Sequence, residues 1–581
     1  AAFDQCDIIL ERDYHTKANA QAMMETFRSY AYVDAFDRLN VVSSTQVPFH
    51  VRRMLSNALG IPKTKIRVVK PRIGGGFGAK QTGWCEIFAA FVTWKLKKPS
   101  KIVYTREETF TASNSRHEMK MHVKIGAKQN GEILAIDLHT LSNTGAYGEH
   151  GSTTVGLSGH KSLPIYNHML ASRFHFDVVY TNTMQAGAYR GYGATQGQFA
   201  VESAVNELAE ALHLDPCELR FMNMVKEGEV MPQYYGEQLN ACALDRCLKK
   251  AMDMIGWKEK GIVRDMGDKM RGLGVALSMQ GSGIANVDIA SVIIKLQDDG
   301  FYTLAIGATD MGTGCDTILA QMAAECLECD VDQIVTQGVD TDASPYDTGS
   351  YASATTYVTG MSVVKACEVL KKQIIEEAAV LMEVEKEHIS FDGKKIYAIE
   401  DGKEMSLSDF ANICFAGGKG ACLIANASHC SPTSPPPFMA GIAEVDVDKL
   451  TGEITMVDYV AVVDSGTIIN PNLARIQVEG GIAQGIGMAL YEDVTYSDTG
   501  KMRNNSFMQY KIPTRLDVGR IRVDFESSYE DSGPFGAKSI GEVVINTPSP
   551  AIASAVAHAS GMHVRTLPIT AEKVLLKQDE D

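Results

Sequence analysis

Gly533-Pro534-Phe535-Gly536-Ala537-Lys538-Ser539-Ile540-Gly541-Glu542 is a loop shaped by glycine and proline that closes on a carboxylate. A glutamate that only solvates a turn needs no such scaffold, whereas a carboxylate held in place is a candidate general base. An exposed turn glutamate remains the commoner explanation for any one such residue. Three further glycine loops set the context. Gly74-Gly75-Gly76-Phe77-Gly78-Ala79-Lys80 follows a strand-like run, Thr64–Lys70. Gly74, Gly76 and Ala79 fit G-x-G-x-x-A, but the dinucleotide fingerprint needs an acidic residue about twenty positions on. That region, Lys95–Ser100, is lysine-rich. A tight turn, or bare amides approaching an anionic cofactor, remain as readings. Gly187-Ala188-Tyr189-Arg190-Gly191-Tyr192-Gly193 places an arginine among glycines and tyrosines. Guanidinium suits a phosphate or an oxo group, and an aromatic ring can wall a flat substrate. An exposed turn arginine is an equal alternative. Gly480-Gly481-Ile482-Ala483-Gln484-Gly485-Ile486-Gly487 allows close packing, with Gln484 as donor and acceptor.

Between these loops the pattern is mixed. Phe199, Val205, Leu208 and Leu212 recur at helical spacing, and Asp215-Pro216 reads as an N-cap followed by a first-turn proline. Val292–Leu296 and Tyr302–Ile306 flank Asp298-Asp299-Gly300, a hairpin signal. Residues 314–328 and 358–382 read as helices, Ile454–Val463 as a buried strand, and Ser549-Pro550 as a helix start. Ala427–Pro437, rich in Ser and Pro, reads as a surface loop. The class is therefore α+β without regular βα alternation. A polar stretch from Gly256 to Arg271 divides the chain into 1–265 and 266–581.

Composition excludes several function classes. A formal net charge of -16 with no basic run argues against nucleic-acid binding. No apolar stretch approaches the ~18 residues of a membrane span. Twelve scattered cysteines are too sparse for a disulfide scaffold and suit a cytoplasmic setting. Cys326-Leu-Glu-Cys329 has no second metal-spaced pair, so buried thiols are the simpler reading.

Taken together, in this order and spacing, Gly74–Lys80, Ala188–Gln196, Asp310–Gly314, Ala352–Thr356, Gln477–Gly487 and Gly533–Glu542 resemble the molybdopterin-binding subunit of the xanthine dehydrogenase/aldehyde oxidase family. The resemblance covers nearly the whole chain and is closest to bacterial enzymes split into separate subunits. It implies large mixed α/β molybdopterin-binding domains with the cofactor and active site at their interface. It also implies hydroxylation of a purine such as xanthine or hypoxanthine with water as the oxygen source. Another N-heterocycle such as nicotinate, an aldehyde, or a non-catalytic cofactor-binding role are the alternatives.

Roles follow from the resemblance residue by residue. Glu542 matches the catalytic base, Gln46 a glutamine beside the molybdenum, and Arg190 an arginine near the metal. Gly76, Phe77 and Gly78 match the loop passing over it, with Gln46, Phe77 and Arg190 surrounding the metal without ligating it. Ala352, Ser353, Thr355, Thr356 and Gln484 match cofactor-binding positions. Tyr192 and Gln81 match substrate-contacting positions, with Gln81 standing where animal xanthine enzymes carry a glutamate. Thr313 replaces a usual cofactor-binding glutamine, and Val543-Val544 replaces a Pro-Pro pair. The implied cofactor is molybdenum-molybdopterin, as a dinucleotide in some relatives. The chain lacks cysteine spacing for iron–sulfur clusters, so a [2Fe–2S] subunit and an FAD subunit are implied as partners. A further N-terminal part of the same subunit is implied before Ala1.

Overall fold

A computed structural model describes residues 1–400, 402–416 and 422–577. Its centre is a five-stranded sheet in the order Val263–Asp265, Lys269–Met279, Phe438–Asp448, Ile454–Asp464 and Arg520–Phe525. The three inner strands are antiparallel and buried along most of their length. Strands covered on both faces read as continuous apolar runs, which is why Ile454–Val463 shows no alternation. Helix Pro548–Ser560 lies directly on this sheet. A Cβ on Gly272 would sit 2.0 Å from Ala555 O, and one on Gly274 2.1 Å from Ala551 O. The absent side chains thus let helix and sheet backbones touch. That helix follows Glu542 after one short turn, Val543–Ile545, whose three side chains are fully buried. The candidate base is anchored by its neighbours in sequence.

Three four-stranded sheets surround this centre. Ile8–Thr16, Glu118–Ala127, Ile133–Gly145 and Ala171–Tyr180 form one. Ile66–Val69, Leu39–Ser43, Arg28–Val33 and Ser100–Val103 form another. The third runs Ile334–Gln337, Tyr302–Ile306, Ile289–Leu296 and Ile424–Cys430, and contains the expected hairpin. Helix Ala194–Leu212 is almost wholly buried, and Asp215 caps the next helix by accepting from the Cys217 and Glu218 amides at 2.7 and 3.2 Å. The largest apolar core draws on residues 14–257 and 273–574 together, so packing is continuous across residue 265.

The expected surface loop Ala427–Pro437 is a correction. Ile424–Cys430 is a strand paired antiparallel with Ile289–Lys295, and Ser431 and Ser434–Pro437 are buried. Serine hydroxyls satisfied internally explain the misreading: Ser434 Oγ donates to Gly283 O at 2.7 Å. The helix expected from 358 begins at Gly360, preceded by a π turn, Thr355–Thr359.

Buried acids give the fold a pH signature. Glu492 accepts from Tyr510 Oη at 2.6 Å and Asn19 Nδ2 at 3.3 Å, but burial raises its carboxyl to about 7. The folded state therefore keeps this proton at pH values where the unfolded chain has released it, so stability falls as pH rises from about 4.5 to 7. Glu492→Gln is expected to remove that part of the slope, read as a smaller difference between urea midpoints at pH 5 and pH 8. An unchanged difference would assign the slope elsewhere.

Candidate active site

Strand Ile66–Val69 feeds the loop Gly74–Lys80 across the mouth of a cavity of about 630 Å³. Gly78 has φ 103°, and a Cβ there would lie 2.7 Å from Ala188 O. Only glycine lets this loop meet the 188–193 loop, where the Arg190 amide donates to Phe77 O at 2.9 Å. Gln46 lies beneath. Its Nε2 donates to Ser350 O at 2.8 Å, and its Oε1 accepts from the Gly78 amide at 3.0 Å.

Arg190 is buried. Its guanidinium donates to Gly541 O at 2.5 Å, Gln484 Oε1 at 3.2 Å and Gln477 O at 3.0 Å. It therefore ties three segments together: its own loop, the Gly533–Glu542 loop and helix Pro471–Leu490. Burial pulls its pKa down to about 10, partly offset by Glu542, so it stays a cation at neutral pH. The Glu542 carboxylate is held at both oxygens, accepting from the Gly191 amide at 3.1 Å and Ser353 Oγ at 2.8 Å. Its position is fixed by one donor from each side of the cavity.

The backbone around this point is strained. Phe77, Tyr192, Ala352 and Ser353, none of them glycine, all have positive φ between 45° and 56°. The left-handed region costs an L-residue roughly 1–2 kcal/mol, and such strain persists only where the surroundings over-determine it. Thr355 and Thr356 open the π turn, a geometry that recurs at functional sites. On the helix Pro471–Leu490, Gly481 packs on Val544 and Gly485 on Pro548, while Gly480 faces the cavity with nothing within 4 Å of its Cβ position. The third glycine loop is thus a helix with both close packing and an open face.

Every candidate residue named from sequence lines this one cavity: Gln46, Gly76, Phe77, Gly78, Gln81, Arg190, Tyr192, Ala352, Ser353, Thr355, Thr356, Gln484 and Glu542. Sequence reasoning missed Ser465 and the segment Thr467–Asn470, which line it too. They carry no glycine pattern and lie where a strand end turns into a helix N-cap, an ordinary-looking stretch. Lys538 stands in the quoted loop but its site was not foreseen: Nζ donates to Asp464 Oδ2 at 2.8 Å, fully buried.

Comparison with known proteins gives the family of the chain. Molybdopterin cofactor-binding domain models match residues 1–224 and 248–519. Probable hypoxanthine oxidase XdhD of Escherichia coli strain K12 is 36% identical over 99% of the chain and 61% of its own length. The xanthine dehydrogenase molybdenum-binding subunit of Escherichia coli O157:H7 is also 36% identical, over 98% of the chain and 77% of that protein. Quinoline 2-oxidoreductase from Pseudomonas putida 86 shares the fold, with TM-score 0.91 at 24% identity over 99% of the chain and 77% of that structure. The chain belongs to the molybdopterin-binding subunits of the xanthine dehydrogenase family, the molybdenum hydroxylases. It spans about three fifths of the first of these relatives.

The residues present fit a molybdopterin. Gly312 and Gly480 both turn bare backbone to the cavity, with no atom within 4 Å of either Cβ position. Ser465 Oγ lines it, buried and without a hydrogen-bond partner. Thr355, Thr356, Asn470 and Gln484 add polar groups along its length, the donor and acceptor spread that a long polar cofactor needs. Gly78→Ala tests this. Left-handed strain plus the contact with Ala188 O should separate the two loops and cut molybdenum content at least about tenfold, a loss of about 1.4 kcal/mol. Metal analysis alongside circular dichroism checks it; full molybdenum content would show that the loop approach is dispensable.

Proposed function

We propose that this chain is the molybdenum-bearing part of an enzyme that hydroxylates a purine, hypoxanthine or xanthine foremost, taking its oxygen from water. The observation that carries the reading is the Glu542 carboxylate, fixed between the Gly191 amide and Ser353 in a cavity that also holds Gln46 and the Tyr192 ring. The names of the two Escherichia coli relatives support the purine.

The bound molybdenum cofactor supplies the oxidising centre and the oxygen-transfer chemistry. Glu542 takes up the proton released as oxygen is transferred, a contribution worth about 10²–10⁴ in rate. Gly191 and Ser353 hold its oxygens in place meanwhile. Arg190 keeps a positive charge close by and braces Gly541, the residue before the base. Gln46 presents an amide pinned at both ends, so it is preorganised. Gln81 and Tyr192 form the substrate wall. Ala352, Ser353, Thr355, Thr356 and Gln484 hold the cofactor with Gly76, Phe77 and Gly78. Electrons leave to a [2Fe–2S] subunit and then an FAD subunit, since Cys326-Leu-Glu-Cys329 is the one C-x-x-C in the sequence and no second such pair completes a cluster site. Twelve scattered cysteines suit a cytoplasmic protein, and among the described residues no helix is long and apolar enough to cross a membrane. We divide the chain functionally at 1–265 and 266–581, the first half bringing Gln46, Arg190 and Tyr192 and the second Ser353 and Glu542.

Dye-linked oxidation of xanthine, hypoxanthine, nicotinate and a simple aldehyde by the purified native complex, with molybdenum quantified, tests the reading. Purine turnover is expected. Turnover of only nicotinate or the aldehyde would move the substrate, and full molybdenum without turnover would overturn the enzymatic assignment.

A further inference from the structure

The phenol of Tyr192 does not stand alone on the cavity wall. His150 Nδ1 lies 2.5 Å from Tyr192 Oη, with the two rings edge to face at 5.5 Å between centroids. His150 Nε2 in turn lies 3.4 Å from Glu149 Oε1. Glu149 is embedded: its carboxylate also accepts from Thr82 Oγ1, Gln185 Nε2 at 3.1 Å and Asn114 Nδ2 at 3.3 Å. The turn that presents it is rigid, with positive φ at Tyr147, Gly148 and His150, and a Cβ on Gly148 would lie 2.6 Å from Tyr180 Oη.

Polarity follows from the donor inventory. Burial acts to raise the Glu149 carboxyl, but the bonds from His150, Thr82 and Asn114 outweigh it and hold it below its usual value. It is therefore ionised at neutral pH and can only accept. His150 Nε2 must carry the proton that faces it. When the imidazole is neutral, Nδ1 is bare and accepts. In that form the proton between Nδ1 and Tyr192 Oη is the phenol's own, and Tyr192 donates to His150. Its oxygen is left with lone pairs, one of which meets Thr153 Oγ1 at 2.9 Å, a hydroxyl whose one proton is shared with His150 O at 3.1 Å. A phenol whose proton is committed backward can only accept from whatever enters the cavity.

We propose that Glu149, His150 and Tyr192 form a relay that fixes the Tyr192 oxygen as a hydrogen-bond acceptor on the substrate wall, selecting heterocycles that present a ring N–H. Glu149 and His150 are positioning residues; Tyr192 touches the substrate. The proposal rests on the hydroxylase reading above and narrows its substrate class. Purine lactams carry such an N–H, whereas nicotinate and simple aldehydes do not. A site built to accept an N–H rejects a ligand lacking it, because the committed oxygen is then left unpaired.

The test uses the holoenzyme carrying Glu542→Gln, where calorimetry reads hypoxanthine binding without turnover, together with kcat and KM in the Glu542 background. Tyr192→Phe is expected to raise Kd about tenfold, and His150→Ala by a similar factor. The double variant should lose no more than about threefold beyond either single one, since both remove the same bond. Values of kcat should stay within about threefold while KM follows Kd. Hypoxanthine that binds equally well to Tyr192→Phe overturns the relay, as do fully additive losses or a His150→Ala protein with unchanged Kd. Preferential binding of nicotinate or an aldehyde by the wild-type site overturns it as well. Failure of the purine reading is separate: it appears as absent hypoxanthine turnover in the unmodified enzyme.

Discussion

Glu542→Gln is expected to lower kcat by about 10²–10⁴ while leaving molybdenum content unchanged and KM within about threefold. The geometry is what makes this a clean test. Glutamine is nearly isosteric, its carbonyl oxygen can still accept from the Gly191 amide, and its Nε2 can donate to Ser353 Oγ, which accepts as readily as it donates. Arg190 contacts Gly541 O rather than the carboxylate, so the brace survives the substitution. What disappears is the ability to take a proton. Single-turnover reduction of the holoenzyme by substrate would read the chemical step directly, apart from electron transfer to the partner subunits. A variant that kept the wild-type rate would remove Glu542 from the base role and send the search to another carboxylate near the cavity, Asp288, which burial raises to about 6.

The parts of this site legible in the sequence were those whose geometry demands a particular residue. Gly78, Gly191 and Gly193 have positive φ and sit where a Cβ would strike Ala188 O in the next glycine loop at 2.7 Å, Thr195 Oγ1 on the following helix at 2.0 Å and Thr154 O on helix Gly151–His160 at 1.9 Å. Glycine is written into the chain wherever two backbones must touch, so the loops announced themselves. Phe77, Tyr192, Ala352 and Ser353 adopt the same left-handed backbone, but nothing in their side chains marks it. Their conformation is imposed by packing between segments hundreds of residues apart, which no local pattern records. Ser465 and Asn470 were invisible for a related reason: they become site residues only because helix Pro471–Leu490 is drawn against Val544 and Pro548. The misread loop at 427–437 makes the complementary point. Its serines looked solvated, yet Ser431 Oγ and Tyr357 Oη are 2.9 Å apart inside the protein. Composition cannot tell a hydroxyl that meets water from one that meets a buried phenol.

Arg220→Met is expected to destabilise the protein by about 3–5 kcal/mol, the usual result of leaving one partner of a buried pair uncompensated. Arg220 and Glu202 are both fully buried, with Arg220 Nη2 2.7 Å from Glu202 Oε2. The arginine also donates to Asn206 Oδ1 at 2.9 Å and Pro216 O at 3.0 Å. Glu202 accepts in addition from the Leu277 amide at 2.6 Å and from Tyr166 Oη. Without the guanidinium, a carboxylate would remain in the core with a backbone amide and a phenol as its only donors. Adding Glu202→Gln to Arg220→Met should recover part of the loss, because the amide keeps an acceptor for Leu277 while removing the charge. Urea midpoints of the two variants, compared with the wild type, decide this; a double variant less stable than the single one would mean that the charge is not the cost. The consequence reaches the site. Glu202 lies on helix Ala194–Leu212, which begins two residues after Tyr192, and Leu277 lies on the strand that carries Gly272 and Gly274 beneath helix Pro548–Ser560. The pair therefore fastens the substrate wall to the sheet that anchors Glu542. Loosening it should raise KM at temperatures where the protein is still folded, before any loss of molybdenum, because this buried pair adds to the Gly191–Glu542 and Arg190–Gly541 bonds that hold the wall and the base in register.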